Sequence, residues 1–393
     1  MKIAVPKERR AHERRVAATP DTVRKYISLG CEVAVEKDAG LSSRYSNEAY
    51  RDAGATLVDD LPTLLNDADV VLKVQRPMLK GEGELDELAL FKSGSVLISV
   101  LSPYNAPESV EAYAKAGVAA MALEFVPRIS RAQSMDVLSS QSNLAGYRAV
   151  LDACYEYDRA MPMMMTAAGT IAPARVLVLG AGVAGLQAIA TAKRLGAIVS
   201  ATDVRPVAKE QVESLGGKFV MVESEETKNA ETSGGYAKEM SDDFKQKQAE
   251  LVAQTLKKQD IVICTALIPG RKAPTLVTDE MVHSMRPGSV IVDLAVEQGG
   301  NCTLSKAGEV VEVNGVTIVG HFNVPSRLSA DASALYAKNI LSFLTPLVAR
   351  EGEAKDGAAT LAIDWQEEIV AATTLTHDGT VVHSAFLSPT TSI

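Results

Sequence analysis

The stretch Val176-Leu177-Val178-Leu179-Gly180-Ala181-Gly182-Val183-Ala184-Gly185 restricts this chain more than any other part of it. An uncharged β-branched run passes directly into glycines spaced G-x-G-x-x-G and then into a helical stretch, Leu186 to Leu195. Strand, tight turn and helix must therefore follow one another without a linker. In such a turn Gly180 permits the sharp reversal, Gly182 lets a pyrophosphate approach the backbone, and Gly185 lets helix and strand pack closely. Phosphates would meet the positive end of the helix at Val183 and Ala184. Asp203 closes the next strand 18 positions beyond Gly185 and suits the two hydroxyls of an adenosine ribose. Its charge would repel a 2′-phosphate, which favours NAD(H) over NADP(H), while Arg205, just past Val204, leaves that preference open. A glycine turn kept for packing, or one holding another adenosine cofactor, is the alternative.

Short β-branched runs alternate with helical stretches along most of the chain, a pattern that builds parallel sheets covered by helices. Strands are expected at Ile3–Val5, Glu32–Val35, Val70–Val74, Val96–Val100 and Val118–Leu123, and then at Arg175–Leu179, Ile198–Thr202, Phe219–Val222, Ile261–Cys264, Val290–Asp293 and Thr317–Val319. Thr19-Pro20 opens a helix that Gly30 closes. A long helix, Gln141 to Tyr157, joins two domains, and another, Ala330 to Val348, returns the chain to the first. The expected fold is α/β: two doubly wound parallel-sheet, Rossmann-like domains with a cleft between them. The first comprises residues 1–140 with 321–393 and the second residues 141–320. His377-Asp378-Gly379 reads as a hairpin turn. Met161 to Ala174, with four methionines, reads as an irregular or hairpin insertion and a candidate contact with a second copy.

Composition removes other classes. Forty basic side chains against 49 acidic ones give a net charge of −9, which argues against a nucleic-acid partner. The amino-terminal Met1 to Arg15 lacks the apolar core of a secretory signal. The longest uncharged run, Val176 to Ala192, is 17 residues with three glycines, too short for a membrane span. Cys31, Cys154, Cys264 and Cys302 stand no closer than 38 positions apart, and the five histidines form no i, i+4 pair, so no metal site is expected and the thiols read as reduced.

Three further segments carry candidate chemistry. Pro127 to Ser140 is dense in donors at the end of a first-domain strand; Arg128, Gln133, Asp136 and Ser139 could orient a carboxamide and ribose. An Arg128–Asp136 ion pair with Ser139 or Ser140 capping a helix is the plain alternative. Glu223 to Asp242 reads as a long connection, with Gly234-Gly235 as hinge and Tyr236 and Met240 able to cover a planar ring. The loops Cys264 to Pro274, with Thr265, Ala266 and Leu267, and Asp293 to Asn301 follow strands on one sheet edge and would wall the nicotinamide side of a pocket.

With these residues in hand the chain resembles the NAD(H)-binding domain I, the alpha-1 subunit, of the proton-translocating NAD(P) transhydrogenases along nearly its whole length. Pro-Arg-Ile-Ser-Arg-Ala-Gln-Ser-Met-Asp, 127 to 136, is the most specific match. The resemblance implies that Arg128, Gln133, Asp136 and Ser139 contact nicotinamide and ribose, with Gln133 also reaching the partner's nucleotide. It implies that 234–240 is a mobile loop bearing Tyr236. It further implies a homodimer on the cytoplasmic face of a bacterial inner membrane, with NADP(H) held by a separate subunit and protons moved by a membrane subunit. The chain resembles alanine dehydrogenase more distantly. Arg15 and Lys73 match that family's substrate-binding positions, but Ser102 stands where its acid/base histidine belongs. Reductive amination needs a group that titrates near neutrality, and serine is not one. Hydride transfer between two nicotinamides needs positioning and exclusion of water, with no titrating side chain. A non-catalytic NADH sensor is the remaining alternative.

Overall fold

The computed structural model describes residues 1–205, 207–222, 241–268, 270–350 and 359–387. It divides into two compact units, Met1–Gln141 with Ser326–Ile393, and Ser142–Pro325. In the first, strands β1 (Lys2–Val5), β2 (Glu32–Glu36), β3 (Thr56–Val58), β4 (Val70–Gln75), β5 (Val96–Val100) and β6 (Ala119–Ala122) lie in the order β3-β2-β1-β4-β5-β6 and are all parallel. Successive side chains serve opposite faces. Ile3, Val5, Val35, Leu72 and Val74 join one core with Tyr336 and Phe343, whereas Ala4, Ala34, Val71 and Leu97 join another with Leu64 and Tyr113. Two-sided burial is why these strands read as continuous apolar runs. The first crossover helix, Pro20–Ser28, begins on a Thr19/Thr22 capping box with proline at its start, and the chain leaves it through Gly30 at φ +85°.

The second unit opens with an exposed antiparallel hairpin, β7 (Met164–Thr166) and β8 (Gly169–Ile171), which bears out the hairpin reading of this segment. Then β9 (Arg175–Leu179), β10 (Ile198–Thr202), β11 (Lys218–Phe219), β12 (Ile261–Cys264), β13 (Val290–Asp293), β14 (Val310–Val313) and β15 (Val316–Val319) form a sheet in the order β11-β10-β9-β12-β13-β15-β14. It is parallel except that β14 runs against β15. Val176, Val178, Ile261 and Ile263 pack on one face, and Leu177, Leu179, Val262 and Cys264 on the other.

The returning segment supplies the helix Ser329–Leu344, a small antiparallel pair, β16 (Val348–Arg350) and β17 (Ala359–Leu361), and strands β18 (Thr374–His377) and β19 (Thr380–Val381). β18 pairs antiparallel with β6 and extends the first sheet. Asp378 and Gly379, at φ +49° and +73°, make the expected tight turn between β18 and β19. Among the described residues no helix is long and apolar enough to cross a membrane. No group of three or more His, Cys, Asp or Glu side chains there could hold a metal ion.

The sequence expectation differs at edges and helix starts. β3 and β14 were not expected, the expected strand Phe219–Val222 is β11 and ends at Phe219, and the returning helix stops at Leu344. The helix expected from Gln141 begins at Val137, and the one expected from Leu186 begins at Val183.

Candidate functional site

In the second sheet the chain runs from β9 outward to β10 and β11, then crosses back to β12, so the loops after β9 and β12 flank the point where strand order reverses. Gly180 leaves β9 at φ +99°, a left-handed conformation that strains any residue with a side chain. A Cβ there would also stand 2.7 Å from Thr265 Oγ1, which donates to the Gly180 carbonyl at 2.9 Å. A Cβ at Gly185 would overlap that same carbonyl oxygen, so the helix can lie on the turn only with glycine at 185. Gly182 differs. The nearest atom to a Cβ there would be Arg205 Nη2, 3.9 Å away, so the space before the turn is open. The helix Val183–Arg194 begins at Gly182 with no side chain capping it. An uncapped start presents the first-turn N–H groups, those of Val183, Ala184 and Gly185, to an anion. Open space over Gly182, close packing under Gly180 and Gly185 and an uncapped helix start form a cradle that phosphates fit.

Asp203 stands at the end of β10 beside this turn. Its Oδ2 accepts the Ala181 N–H at 2.8 Å and Arg205 Nη2 at 2.8 Å, while Oδ1 accepts the Arg205 N–H and Nε at 2.9 Å each. The loops after β12 and β13 are tied by Asn301, which is fully buried: its Nδ2 donates to the Ala266 and Pro274 carbonyls at 2.8 Å, and its Oδ1 accepts the Ala266 N–H at 3.0 Å. Asp293 in turn accepts the N–H groups of Ala295, Asn301 and Cys302 and the Ser305 hydroxyl. Thr265 and Ala266 are thereby held beside Gly180, and Leu267 is exposed. Beneath the turn, Gly146 lets the helix Val137–Glu156 press on Ala184, whose carbonyl a Cβ at 146 would overlap.

In the first unit, residues Ser130–Met135 form a 3-10 turn. Buried Ala132 and Met135 anchor it, leaving Arg128, Gln133 and Ser134 exposed. The buried Asn339 of the returning helix donates to the Ser134 carbonyl at 2.8 Å and accepts from Ser140 Oγ at 2.7 Å. Arg131 pairs with Glu367 and Glu368 on the flank. The plain reading needs correction: Asp136, not Ser139 or Ser140, caps the helix. Its Oδ1 accepts the Ser139 N–H at 2.9 Å and its Oδ2 the Ser139 hydroxyl at 2.5 Å. Tyr236, with the rest of 223–240, lies outside the described residues.

Glutamates that no sequence motif singles out gather with Lys73 and Arg15 at the carboxyl edge of the first sheet. Lys73 on β4 is buried and ion-paired with Glu87 at 3.2 Å and Glu8 at 3.5 Å. Burial pushes the Glu8 carboxyl up to about 7 against the pull of Lys73, and among the described residues its Oε2, though ion-paired with Lys73, accepts no hydrogen bond. Arg15 is held by Glu13, at 2.7 Å, and by Gln141. Burial alone would raise Glu13, but the charge and hydrogen bonds of Arg15 outweigh it and hold the carboxyl at about 2. Ser102 is exposed at φ +48° just past β5; the Glu124 carboxylate accepts its N–H and that of Leu101, and desolvation raises Glu124 to about 7. A search confined to histidines misses both of these near-neutral carboxyls; only burial, absent from a motif, identifies them.

A parallel sheet with its glycine turn at the point of strand reversal makes this a Rossmann-like α/β protein. Residues 4–145 match the family model of the alanine dehydrogenase/PNT N-terminal domain and residues 149–384 that of the C-terminal domain. The first portion of the NAD(P) transhydrogenase subunit alpha of Rhodospirillum rubrum is 59% identical over 385 residues, covering 98% of both chains. A crystal structure of transhydrogenase from Sinorhizobium meliloti superposes with a TM-score of 0.86 at 53% identity, covering 97% of this chain and 100% of that one. The alanine dehydrogenase of Bacillus subtilis is 34% identical over 303 residues, 76% of this chain and 72% of that one. The chain belongs to the alanine dehydrogenase/PNT family of oxidoreductases and, within it, to the NAD(P) transhydrogenase alpha subunits.

Proposed function

We propose that this chain binds NAD(H) at the glycine turn and takes part in direct hydride transfer to NADP(H) held on a separate subunit, with a membrane subunit coupling the transfer to proton movement. The observation that carries the reading is the cradle itself, an uncapped helix start behind an open Gly182, with Asp203 beside it. The nicotinamide, when bound, supplies or accepts the hydride. The chain's residues bind and orient. Gly180, Gly182, Val183, Ala184 and Gly185 take the phosphates, Asp203, Val204 and Arg205 the adenosine end, and Thr265, Ala266 and Leu267 one wall. Arg128, Asp136 and Ser139 orient carboxamide and ribose, Gln133 reaches the partner's nucleotide, and Tyr236 covers the ring. Hydride exchange between two like rings needs no proton moved at the reacting carbon, which suits a set without histidine.

The same reading places the chain peripherally on the cytoplasmic face of a bacterial inner membrane, docked to its partner subunits, and as a homodimer. The test is reconstitution: the purified chain added to membranes holding the other subunits, scored for NADH-dependent reduction of an NADP⁺ analogue. Transfer that requires this chain is expected. NADH bound without transfer would favour a sensor, and NADH oxidised by the chain alone with pyruvate and ammonia would favour an alanine dehydrogenase.

A further inference from the structure

Asp203 and Arg205 are close to a closed pair. Three Arg205 donors, its N–H, Nε and Nη2, end on the two carboxylate oxygens at 2.8–2.9 Å, and the remaining carboxylate contact is the Ala181 N–H of the glycine turn. Both side chains are largely buried, at 18% exposure for Arg205 and 8% for Asp203. The guanidinium is also the group nearest the open space over Gly182. A cation that could read a ribose 2′-phosphate therefore stands in the site, but its charge is matched by the carboxylate and its fork of donors is engaged.

From this geometry we propose that nucleotide selectivity resides in the pair and not in Asp203 alone: Arg205 is a phosphate-reading residue held silent by Asp203. The inference rests on the assignment of NAD(H) to the glycine turn. Removing the carboxylate charge releases the guanidinium at the adenosine end, where it can fork onto a 2′-phosphate. Removing Arg205 instead leaves a bare carboxylate, which repels that phosphate more strongly. For a subunit that must keep two nucleotides apart, such a pair means that one substitution would admit the wrong coenzyme.

Binding of NADH and NADPH to the full chain, measured by calorimetry, tests this with Asp203→Asn, Arg205→Gln and the double variant; Asp203→Ser serves if the asparagine variant does not fold. Asp203→Asn should weaken NADH and strengthen NADPH, each by about tenfold or more, the scale of one charge-assisted hydrogen bond. The gain in NADPH affinity should vanish in the double variant, and Arg205→Gln alone should not acquire NADPH binding. If the parent chain binds NADH and Asp203→Asn gains nothing for NADPH, or the double variant gains as much as the single, the inference is overturned. If the parent chain binds neither nucleotide, the assignment of the glycine turn falls instead.

Discussion

Glu8 and Glu124 are glutamates that the fold keeps from ionising until pH rises to about 7, against 4.5 for an unperturbed carboxyl. Burial drives both shifts. The proton is bound more tightly in the folded chain than in the unfolded one, so each group's contribution to stability is complete below about 4.5 and is lost as pH rises through about 7. Within that window each group approaches a slope of about 1.4 kcal/mol per pH unit. Denaturant titrations between pH 5 and 8 should therefore show Glu8→Gln and Glu124→Gln losing less stability across the range than the parent chain; equal slopes would sink the assignment. Glu13 has the opposite sign. Held at about 2 by Arg15 despite its burial, it stabilises the fold above the ordinary carboxyl range, and that contribution disappears as pH falls towards 2. Gln133 is a different case. It is exposed on a turn whose neighbours Ala132 and Met135 are buried. Gln133→Asn, one methylene shorter, should slow transfer in the reconstituted complex at least tenfold while changing NADH affinity by less than about threefold, because positioning and not anchoring is lost. Stopped-flow transfer rates set beside binding isotherms separate the two effects.

At the level of elements, the turn Ser130–Met135 owes its position to the returning helix. Asn339 spans the turn's Ser134 carbonyl and the hydroxyl of Ser140 in the helix that follows. Asn339→Ala removes both hydrogen bonds, at a cost of roughly 1–3 kcal/mol for the two together. It should also lower the transfer rate, and Asn339→Asp, which can still accept from Ser140, should recover part of the stability if the contact itself is responsible. Equilibrium unfolding and reconstituted turnover, measured together, check this. The glycine turn and the central strands were legible in the sequence because each carries a local rule: spacing for the turn, and two-sided burial for strands such as Ile261–Cys264. The edges were not. Thr56–Val58 and Val310–Val313 are exposed or half-buried strands whose pairing is decided by distant neighbours. The helix at Val137 starts early because Asp136 caps it; aspartate is a favoured cap, but in the sequence Asp136 reads equally as an ion-pair partner of Arg128, and its capping contact decides between the two only once its carboxylate is placed. Asn339, Asn301 and Glu124 were likewise invisible, since each acts on a segment far from it in sequence or through burial.

At the scale of the molecule, the hairpin of β7 and β8 and the residue before it expose apolar side chains, with Met163 59% and Met165 77% exposed. If it is the dimer contact proposed above, Met163→Asp with Met165→Asp should convert the dimer to monomer at micromolar concentration, a loss of about 100-fold or more in association, readable by light scattering. A dimer unchanged by both charges would place the contact elsewhere. The final strands of the first sheet have another consequence. β18 pairs beside β6, and Met1 reaches the carbonyl of Ala359 at 2.8 Å, so the sheet begun by the earliest residues is completed by some of the latest. The second unit lies wholly between them in the sequence. During synthesis that inner unit is free to fold as it leaves the ribosome, while the outer one must wait, its β6 edge unpaired, until β18 has emerged. A nascent chain halted before residue 374 would thus carry a finished glycine turn and an unfinished first sheet, and chaperone capture should be sought at that exposed edge.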